Sequence, residues 1–365
     1  MRSLLLLLLL ALAFAPAAAG ATKPATQPRH VFVIVLENKD ASTTFGPSSP
    51  APYLADTLRA RGAFVPGYYG IGHNSLANYL AMVSGQAPTT TTQADCPVFT
   101  DVLPGTPAPD GQVVGQGCVY PASVPTVADQ LEAGGRGWKG YMEDMGDDPV
   151  RDNGTTCAHP ALGTPDRTEQ ASPTDQYATR HNPFVYFHSI IDDPTGCQAR
   201  DVPLNRLPAD LASIKTTPNL SFITPNLCHD GHDATCADGT PGGLPAADAF
   251  LRQWVPQITA SPAFRRDGLL VIAFDEGAND STSCCGEVNG PNTLAAGGPM
   301  GGPGGGRTGA VLLSPFIAAG TVSAQDYNHY SLLRSIEDEF GLAHLGYAAA
   351  AGLRPFGSDI FTAGR

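Results

Sequence analysis

Four short apolar runs constrain the fold of this chain more than any other feature of its sequence. They are HVFVIVL at 30–36, NLSFIT at 219–224, GLLVIAF at 268–274 and GAVLLSP at 309–315. Each run is apolar throughout instead of alternating with polar residues, which is typical of strands covered on both faces of a sheet. FVYF at 184–187 is predicted as a further strand.

Amphipathic segments with the spacing of helices lie between these runs. They are 51–61, 75–84, 124–133, 245–258 and 330–341. Strands that alternate with helices predict an α/β fold, here a three-layer sandwich around a central, largely parallel sheet. The sequence shows no internal repeat, so we expect a single domain over 20–365 with a loop excursion around 86–120, and a flexible glycine-rich loop over 277–307.

The N-terminal residues predict export. MRSLLLLLLLALAFAPAAAG has one basic residue, an unbroken apolar run and then small residues, which is the pattern of a signal peptide, here residues 1–19. The mature protein is therefore expected to be secreted or periplasmic. A retained N-terminal anchor is the alternative.

The cysteines agree with an oxidising compartment, because the chain has an even number of them, eight. The predicted disulfides are Cys228–Cys236, Cys96–Cys118 and Cys157–Cys197. The partners of the adjacent Cys284 and Cys285 stay open, since direct pairing of neighbours would be strained.

The charge of the chain bears on its partners. Its formal net charge is -13, and the sequence contains no run of lysine and arginine. This balance argues against nucleic acid as a partner, because the phosphate backbone is bound mainly through basic side chains.

Acidic residues follow two of the predicted strands directly. Glu37 and Asn38 follow the first run, and Asp275 and Glu276 follow the third. Sites in open α/β sheets form outside the carboxyl ends of the strands, and carboxylates gathered there repel one another unless a cation lies among them. An oxygen-only set suits a hard divalent ion such as Mg²⁺, Mn²⁺ or Ca²⁺. The alternative is that acidic residues simply start loops here.

A serine lies where a glycine-rich turn becomes a helix, in GIGHNSLANYLAMVSG at 70–85. Ser75 has His73 two residues before it and Asn78 three residues after it. A helix N-terminus presents unpaired N–H groups that suit anions and nucleophiles. The alternative is that Ser75 or Asn74 only caps the helix.

Histidines and acids gather after the second strand, in NLCHDGHD at 226–233. This spacing can serve a metal or an anionic ligand, and the alternative is a surface turn closed by cysteines. The residues concerned are His229, Asp230, His232 and Asp233. His329 precedes the last predicted helix as a further candidate, or else as a cap or packing residue, and His181 is predicted to be structural.

Six motifs in order resemble one known family. They are HVFVIVLEN, GHNSLANYLAMVSG, RHNPFVYF, TPNLCHDGHD, FDEG and YNHYSLLRSIEDEFGL, and they extend from residue 30 to about residue 346. The chain resembles the bacterial and fungal phosphoesterases that include acid phosphatases and phospholipases C, within the alkaline phosphatase superfamily. It departs from the family pattern H-P-S-x-P-N-Y in having Asn74 and Ala77 instead of the two prolines.

The resemblance implies a role for each candidate residue. Ser75 would be the nucleophile. Apart from the resemblance, we expect His232 or His329 to give a proton to the leaving oxygen, because imidazole is the most frequent general acid in enzymes. The implied phosphate-binding residues are His73, Asn78, His229, Asp230 and Asp233. The implied ligands of the divalent ion (Mg²⁺, Mn²⁺, Ca²⁺ or Zn²⁺) are Glu37, Asn38, Ser75, Asp275 and Glu276.

The function that follows is that of a secreted, metal-dependent phosphoesterase with a phosphoserine intermediate. We expect an acid phosphatase-type phosphomonoesterase acting on small phosphate esters. The alternatives are a phospholipase C-type phosphodiesterase that takes a phospholipid head group, and a non-catalytic binding protein on the same fold. A serine carboxyl-esterase is excluded because the sequence lacks G-x-S-x-G.

Overall fold

The computed structural model describes residues 28–363, in which a large mixed sheet is covered by helices. The strands are β1 (His30–Leu36), β2 (Ala63–Val65), β3 (Tyr68–Tyr69), β4 (Val98–Phe99), β5 (Leu103–Pro107), β6 (Val113–Gln116), β7 (Trp138–Met142), β8 (Thr164–Pro165), β9 (Asp201–Pro203), β10 (Leu220–Thr224), β11 (Gly268–Phe274), β12 (Ala310–Leu313), β13 (Thr321–Val322) and β14 (Tyr327–Asn328). The predicted signal peptide, 1–19, lies outside the described residues.

Helices of very different length connect these strands. The α-helices are α1 (Ala41–Phe45), α2 (Arg59–Arg61), α3 (Ser75–Ser84), α4 (Val127–Ala133), α5 (His188–Ile191), α6 (Pro194–Arg200), α7 (Leu207–Asp210), α8 (Gly243–Ala260), α9 (Pro262–Asp267) and α10 (His329–Phe340). A π-helix, Tyr53–Leu58, precedes α2. The 3₁₀ segments are Thr92–Ala94, Thr179–His181, Pro183–Tyr186, Leu204–Arg206, Gly298–Met300 and Gly346–Ala349. Within residues 28–363, none of the helices combines the length and the apolar character that a membrane span requires.

The central sheet has eight strands in the order β13-β2-β12-β11-β1-β10-β7-β9. Five neighbouring strands, from β11 to β9, run parallel. β12 is antiparallel to both β11 and β2. The predicted α/β fold with a largely parallel central sheet is therefore confirmed.

Both faces of the sheet are covered, which makes three layers. Successive residues of β1 point to opposite sides, so Val33 packs in one core with α3 and α10, and Ile34 packs in the other with α8. All seven residues of β1 and of β11 are buried. This explains why these strands are apolar at every position.

The four apolar runs are strands, as predicted, but FVYF at 184–187 is not. Pro183–Tyr186 forms a 3₁₀ helix that begins at the proline, and Phe184 packs edge-on against Phe222 of β10. A buried apolar run this short has the same pattern in a strand and in a helical turn, so periodicity alone does not separate them.

The two predicted loop regions differ in structure. The excursion at 86–120 contains β4 and an antiparallel hairpin formed by β5 and β6. The segment 277–307 is irregular apart from one 3₁₀ turn, and the Gly305 amide donates a hydrogen bond to the Gly70 carbonyl. The glycine-rich segment is thereby attached to the turn that precedes α3.

The cysteines pair as four disulfides. The three predicted pairs are confirmed, and the fourth, which the sequence left open, joins the neighbours Cys284 and Cys285. The described residues contain no free cysteine.

A buried acid away from the acidic sheet edge gives a testable pH dependence. Burial raises the pKa of Asp201 to about 7, although a hydrogen bond from Asn182 opposes the shift. Because an unfolded aspartate has a pKa of about 3.9, unfolding releases a proton between about pH 4 and pH 7, and the free energy of unfolding falls as the pH rises through this window. We expect Asp201→Asn to reduce this fall by up to about 4 kcal/mol.

Urea unfolding at pH 4 and at pH 8 measures this effect. Asp56→Asn is the matched control, because it makes the same substitution at an exposed aspartate. If the free energy of unfolding fell equally in the parent and in Asp201→Asn between pH 4 and pH 8, Asp201 would ionise alike in the folded and the unfolded state.

Candidate active site

The acidic residues predicted at two strand ends meet at one edge of the sheet. β1 and β11 pair in parallel up to Leu36 and Phe274, so the residues that follow leave the sheet side by side. The Asn38 amide N–H donates to Asp275 Oδ1 at 3.0 Å, and Asn38 Nδ2 donates to Glu276 Oε1 at 2.8 Å. Asn38 has a φ of 44°, in the left-handed region that non-glycine residues rarely adopt. Such backbone strain is found most often at functional sites.

Ser75 is held on the carboxylate that ends β1. Its Oγ donates a hydrogen bond to Glu37 Oε2 at 2.6 Å, and the Tyr79 hydroxyl donates to the other oxygen, Oε1, at 2.6 Å. Ser75 and Tyr79 lie one helical turn apart on α3, so both reach the same carboxylate. Ser75 is only 6% exposed. The hydroxyl is therefore fixed in one direction inside the protein.

The N-terminus of α3 is capped by neither Asn74 nor Ser75. Asn74 has a φ of 73° and makes no capping hydrogen bond with its side chain. Instead, Asp95 from the excursion accepts a hydrogen bond from the Leu76 amide at 3.0 Å and another from Asn74 Nδ2 at 3.2 Å. The alternative that Ser75 is present only as a cap therefore has no support in its contacts.

Asn78 and His73 both contact Glu276. Asn78 Oδ1 accepts hydrogen bonds from the Ile71 and Gly72 amides, while its Nδ2 donates to Glu276 Oε2 at 3.0 Å. His73 Nδ1 lies 3.2 Å from Glu276 Oε1. Asn78 thus holds the turn against Glu276. The role predicted for it was to bind phosphate.

One residue of the segment NLCHDGHD, Asp230, lies beside Glu37 at this edge of the sheet. Asp230 is fully buried, and its backbone carbonyl accepts a hydrogen bond from the Glu37 amide at 2.8 Å. His232 and Asp233 pair with each other at 2.8 Å and are about half exposed. His229 pairs with Glu143 at 3.0 Å.

His181, predicted to be structural, lies inside this cluster. Its ring stacks on Tyr79 with centroids 5.2 Å apart. Its Nε2 is 3.5 Å from Glu37 Oε1, and its Nδ1 is 3.9 Å from Asp230 Oδ2. Neither ring nitrogen has a hydrogen-bond partner among the described residues. Burial lowers the pKa of His181 well below its usual value, and the charge of Arg180 lowers it further.

His329 is buried behind the cluster. Its Nε2 contacts the Asp275 carbonyl, and its Nδ1 is 3.1 Å from the Tyr68 hydroxyl. Burial lowers the pKa of His329 to about 4. Because both ring nitrogens are engaged, the structure leaves His329 no free nitrogen for the proton-donor role that the sequence suggested.

Four buried carboxyl groups repel one another at this edge. Burial raises the pKa of each well above its usual value, and the neighbouring carboxylates raise it further. They belong to Glu37, Asp230, Asp275 and Glu276. Two cations lie near enough for their charges to act on Glu37 and Asp230. They are Lys39 and Arg180, the latter of which interacts more strongly with Asp95 and Glu169.

The donor atoms at this edge fit a hard divalent cation by type. Three buried oxygens have no hydrogen-bond partner among the described residues, namely Asn38 Oδ1, Asp230 Oδ2 and Asp275 Oδ2. Unpaired buried oxygens of this kind are costly unless something binds them. However, the carboxylate oxygens at this edge do not lie close enough together to surround one ion.

In residues 28–363, three His, Cys, Asp or Glu donor atoms lie within 4.8 Å of one another only at two disulfides, each with one carboxylate. The sulfurs there are oxidised and do not compete as thiolate ligands. The acidic side chains at the sheet edge would therefore have to move together to surround an ion.

Three contributors to the site were not predicted from the sequence. Tyr79 and Asp95 position Glu37 and the start of α3, and Arg180 adds a nearly buried positive charge. Arg180 and His181 belong to the motif RHNPFVYF, so the sequence did contain a motif from which both could have been identified as site residues. No motif marked Asp95, because it lies in a loop that resembles no functional pattern.

The fold and the contacts define an α/β protein with a buried serine-carboxylate centre at the carboxyl edge of its sheet. A model described as the Phosphoesterase family matches residues 48–343. The chain belongs to this family, which confirms the family predicted from the sequence, and five of the six motifs lie within the match. The match includes Ser75, Asp275 and Glu276, and it begins after β1.

Curated relatives agree with this family. The chain is 25% identical over 316 residues to an acid phosphatase of Aspergillus fumigatus, covering 86% of this chain and 55% of the relative. It is 26% identical to a phosphate-repressible acid phosphatase of Penicillium chrysogenum, with 86% and 59% covered. It thus spans little more than half the length of these fungal relatives. A phosphatidylinositol-3-phosphatase of Mycobacterium tuberculosis is 24% identical, with 88% of this chain and 80% of the relative covered.

Comparison with solved structures finds similarity at low sequence identity. The crystal structure of Ps i-CgsB aligns with a TM-score of 0.51 at 14% identity, covering 90% of this chain and 75% of that one. A protein of the alkaline phosphatase superfamily from Vibrio parahaemolyticus aligns with a TM-score of 0.49 at 11% identity, covering 92% and 72%. The likeness to Ps i-CgsB concerns the fold and not the activity.

Proposed function

We propose that this chain is an acid phosphatase-type phosphomonoesterase that transfers the phosphoryl group of its substrate to Ser75. The observation that carries the proposal is the 2.6 Å hydrogen bond from Ser75 Oγ to Glu37 Oε2. A serine hydroxyl is a weak nucleophile, and an adjacent proton acceptor is one means of activating it. Family membership and the relatives named acid phosphatase support the same chemistry.

The first step forms the covalent intermediate. Ser75 Oγ attacks phosphorus and passes its proton to Glu37 Oε2, the Oγ–P bond forms, and the bond from phosphorus to the leaving oxygen breaks. In the second step, water attacks the phosphoserine and gives a proton to the group that protonated the leaving oxygen. The bond from phosphorus to Ser75 Oγ breaks, Ser75 Oγ takes its proton back from Glu37, and inorganic phosphate is released. Both steps need the attacking oxygen to lie in line with the leaving oxygen, so the fixed direction of Ser75 Oγ matters for the rate.

The non-bridging oxygens need positive or hydrogen-bonding partners in both steps. We assign this role to Arg180 and Lys39, whose charges both interact with the acidic cluster, and to His181, whose ring nitrogens have no partner among the described residues. A guanidinium can contact two phosphoryl oxygens at once. The Leu76 amide, a further donor at the helix start, is held by Asp95, so a phosphoryl oxygen would have to displace this carboxylate.

We assign protonation of the leaving oxygen to His232. Its side chain is about half exposed and lies beside Asp233, whose carboxylate orients the ring. An imidazole nitrogen can give up a proton in one step and recover it in the next, which is what this role requires.

A divalent ion would be held by the donors that the sequence predicted, namely Glu37, Asn38, Ser75, Asp275 and Glu276. Bound there, it would supply positive charge to the phosphoryl oxygens and favour the ionised form of the serine hydroxyl. The protein side chains described above would bind, orient and exchange protons around it. Its identity among Mg²⁺, Mn²⁺, Ca²⁺ and Zn²⁺ is part of the proposal to be measured.

We further propose that the enzyme acts outside the cytoplasm, as a single domain over 20–365 released from its signal peptide. The four disulfides support this location, because such bonds persist in oxidising compartments.

The substrate is expected to be a monoester, either free or carried on a lipid head group. The mycobacterial relative is named for removing a phosphate from a phosphoinositide, which is also a monoester. A phospholipase C-type enzyme would instead cleave a diester, whose phosphate has one negative charge fewer to meet Arg180 and Lys39.

A substrate panel separates these possibilities. We expect the purified protein to hydrolyse p-nitrophenyl phosphate and phosphatidylinositol 3-phosphate at least tenfold faster than bis(p-nitrophenyl) phosphate or phosphatidylcholine. The assay is release of nitrophenol or inorganic phosphate with and without a chelator. Faster cleavage of phosphatidylcholine would replace the phosphomonoesterase proposal by the phospholipase alternative, and no hydrolysis of any substrate would favour a binding protein.

A further inference from the structure

A cavity of about 520 Å³ lies at the edge of the sheet opposite Ser75. It is lined by His30 and Trp138, which begin β1 and β7, and by Asn219, which directly precedes β10. These three strands are parallel and neighbouring, so their amino ends lie together at one edge while Glu37 lies at the other. The cavity is thus separate from the candidate active site.

The lining of this cavity is strongly basic. Five lysine and arginine side chains contribute to it, namely Arg29, Lys139, Arg200, Lys215 and Arg266. No Asp or Glu is among the lining residues, all of which belong to the described part of the chain. The whole sequence has 21 basic and 34 acidic residues. Since acidic residues outnumber basic ones in the sequence, a cavity lined by five basic and no acidic side chains is unusual for this protein.

Three of these cations have acidic partners that stand outside the cavity lining. Lys139 pairs with Asp210 at 2.7 Å, Arg200 with Glu132 at 3.1 Å and Arg266 with Asp267 at 2.8 Å. These contacts hold the cationic side chains in fixed positions. The cations line the open space, whereas their acidic partners do not.

The other two cations are free to bind a ligand. Arg29 and Lys215 are exposed, and neither makes an ion pair with any residue in 28–363. They would meet a ligand's charge without first giving up an internal partner. The cavity therefore carries two positive charges that have no ion-pair partner within residues 28–363, beside three that are positioned by ion pairs.

We propose that this cavity binds a small polyanion that carries several phosphate or sulfate groups. Its volume lies in the usual range for small-molecule sites, and guanidinium and ammonium groups are the side chains best suited to such oxyanions. A flat membrane surface or an extended nucleic acid would need its cations spread over an open face, whereas these five surround one concavity. The proposal does not depend on the chemistry at Ser75.

The test uses inositol hexasulfate, a polyanion without phosphate ester bonds, so that hydrolysis cannot interfere. We expect one molecule to bind per chain, with an affinity that falls as sodium chloride is raised, because screening weakens contacts between exposed charges. Calorimetry gives the stoichiometry. Trp138 lines the cavity, so its fluorescence in a Trp254→Phe background reports occupancy.

The deciding variant is Arg29→Gln with Lys215→Gln, which we expect to weaken binding at least tenfold. The matched control is Arg61→Gln with Arg167→Gln, which removes two exposed arginines from elsewhere on the surface and should change the affinity less than twofold. Hydrolysis of p-nitrophenyl phosphate should be the same in both double variants. If Ser75 proves to be non-catalytic while this binding pattern holds, only the proposed function fails.

The proposal is overturned if the parent protein does not bind inositol hexasulfate at low salt. It is also overturned if both double variants lose affinity equally, since that result would reflect net charge alone. Binding to anionic phospholipid vesicles without binding to inositol hexasulfate would contradict it as well, because the ligand would then be a membrane surface.

Discussion

Ser75→Ala should reduce phosphatase turnover by about 10³-fold or more, because removing a covalent nucleophile removes a whole reaction pathway. Substrate affinity should fall much less than turnover, since Arg180, Lys39 and His181 remain to hold the phosphate. Steady-state kinetics with p-nitrophenyl phosphate give both quantities. The change removes one hydroxyl and leaves Glu37 with its hydrogen bond from Tyr79, so the fold should persist.

A second serine in the same helix provides the matched control. Ser84 is buried near the C-terminal end of α3, and its Oγ donates to the Leu80 carbonyl at 2.7 Å. Ser84→Ala should lower stability slightly and leave turnover within about twofold. If Ser75 acted only at the helix start, Ser75→Ala would cost about 1 kcal/mol of stability and change the rate no more than Ser84→Ala does. Equal kinetics for the two variants would contradict the assignment.

Asp275→Asn should abolish tight binding of a divalent ion and phosphatase activity together. The substitution preserves the shape of the side chain, and the new amide oxygen can still accept from the Asn38 and Glu276 amides as Oδ1 does in the parent. It removes the charge of a buried carboxylate whose other oxygen, Oδ2, has no hydrogen-bond partner among the described residues. A hard cation loses most when an anionic oxygen ligand becomes neutral.

Calorimetry with Mg²⁺, Mn²⁺, Ca²⁺ and Zn²⁺ tests this in parent and variant, beside activity after chelation and after readdition of each ion. Asp201→Asn is the control, because Asp201 is equally buried and lies outside the acidic edge. An Asp275→Asn protein that binds the ion as tightly as the parent would show that the ion lies elsewhere. Parent protein that keeps full activity after complete chelation would remove the ion from the mechanism.

Local sequence was sufficient to predict the sheet edge. The apolar runs of β1 and β11 stop directly before Glu37 and Asp275, and the parallel pairing of these strands then brings the acids together without further information. The same holds for Ser75, because the glycine-rich turn and the helix that it starts are contiguous in sequence. These features depend on strand and helix patterns a few residues long.

The surroundings of the site depend on contacts that no local pattern encodes. Asp95 reaches the start of α3 from the excursion, and His181 reaches Glu37 from a 3₁₀ turn about 140 residues away in sequence. The run FVYF that follows His181 was predicted as a strand, although Pro183 begins a helical turn there. Its burial came from tertiary packing, which a four-residue pattern does not reveal.

The basic cavity illustrates the same limit. The sequence has no run of lysine and arginine, because each of the five cations comes from a different segment, from Arg29 to Arg266. Only the parallel arrangement of β1, β10 and β7 gathers their amino ends at one edge. Absence of a cluster in sequence therefore did not exclude a cluster in space.

The most direct test of the account is to trap the phosphorylated enzyme. Parent protein mixed with phosphatidylinositol 3-phosphate or p-nitrophenyl phosphate is quenched in acid within milliseconds, digested and analysed by mass spectrometry. We expect one added phosphate on the peptide that contains Ser75, and none in Ser75→Ala. Phosphate on a different residue, or rapid turnover without any phosphorylated peptide, would contradict a mechanism that proceeds through Ser75.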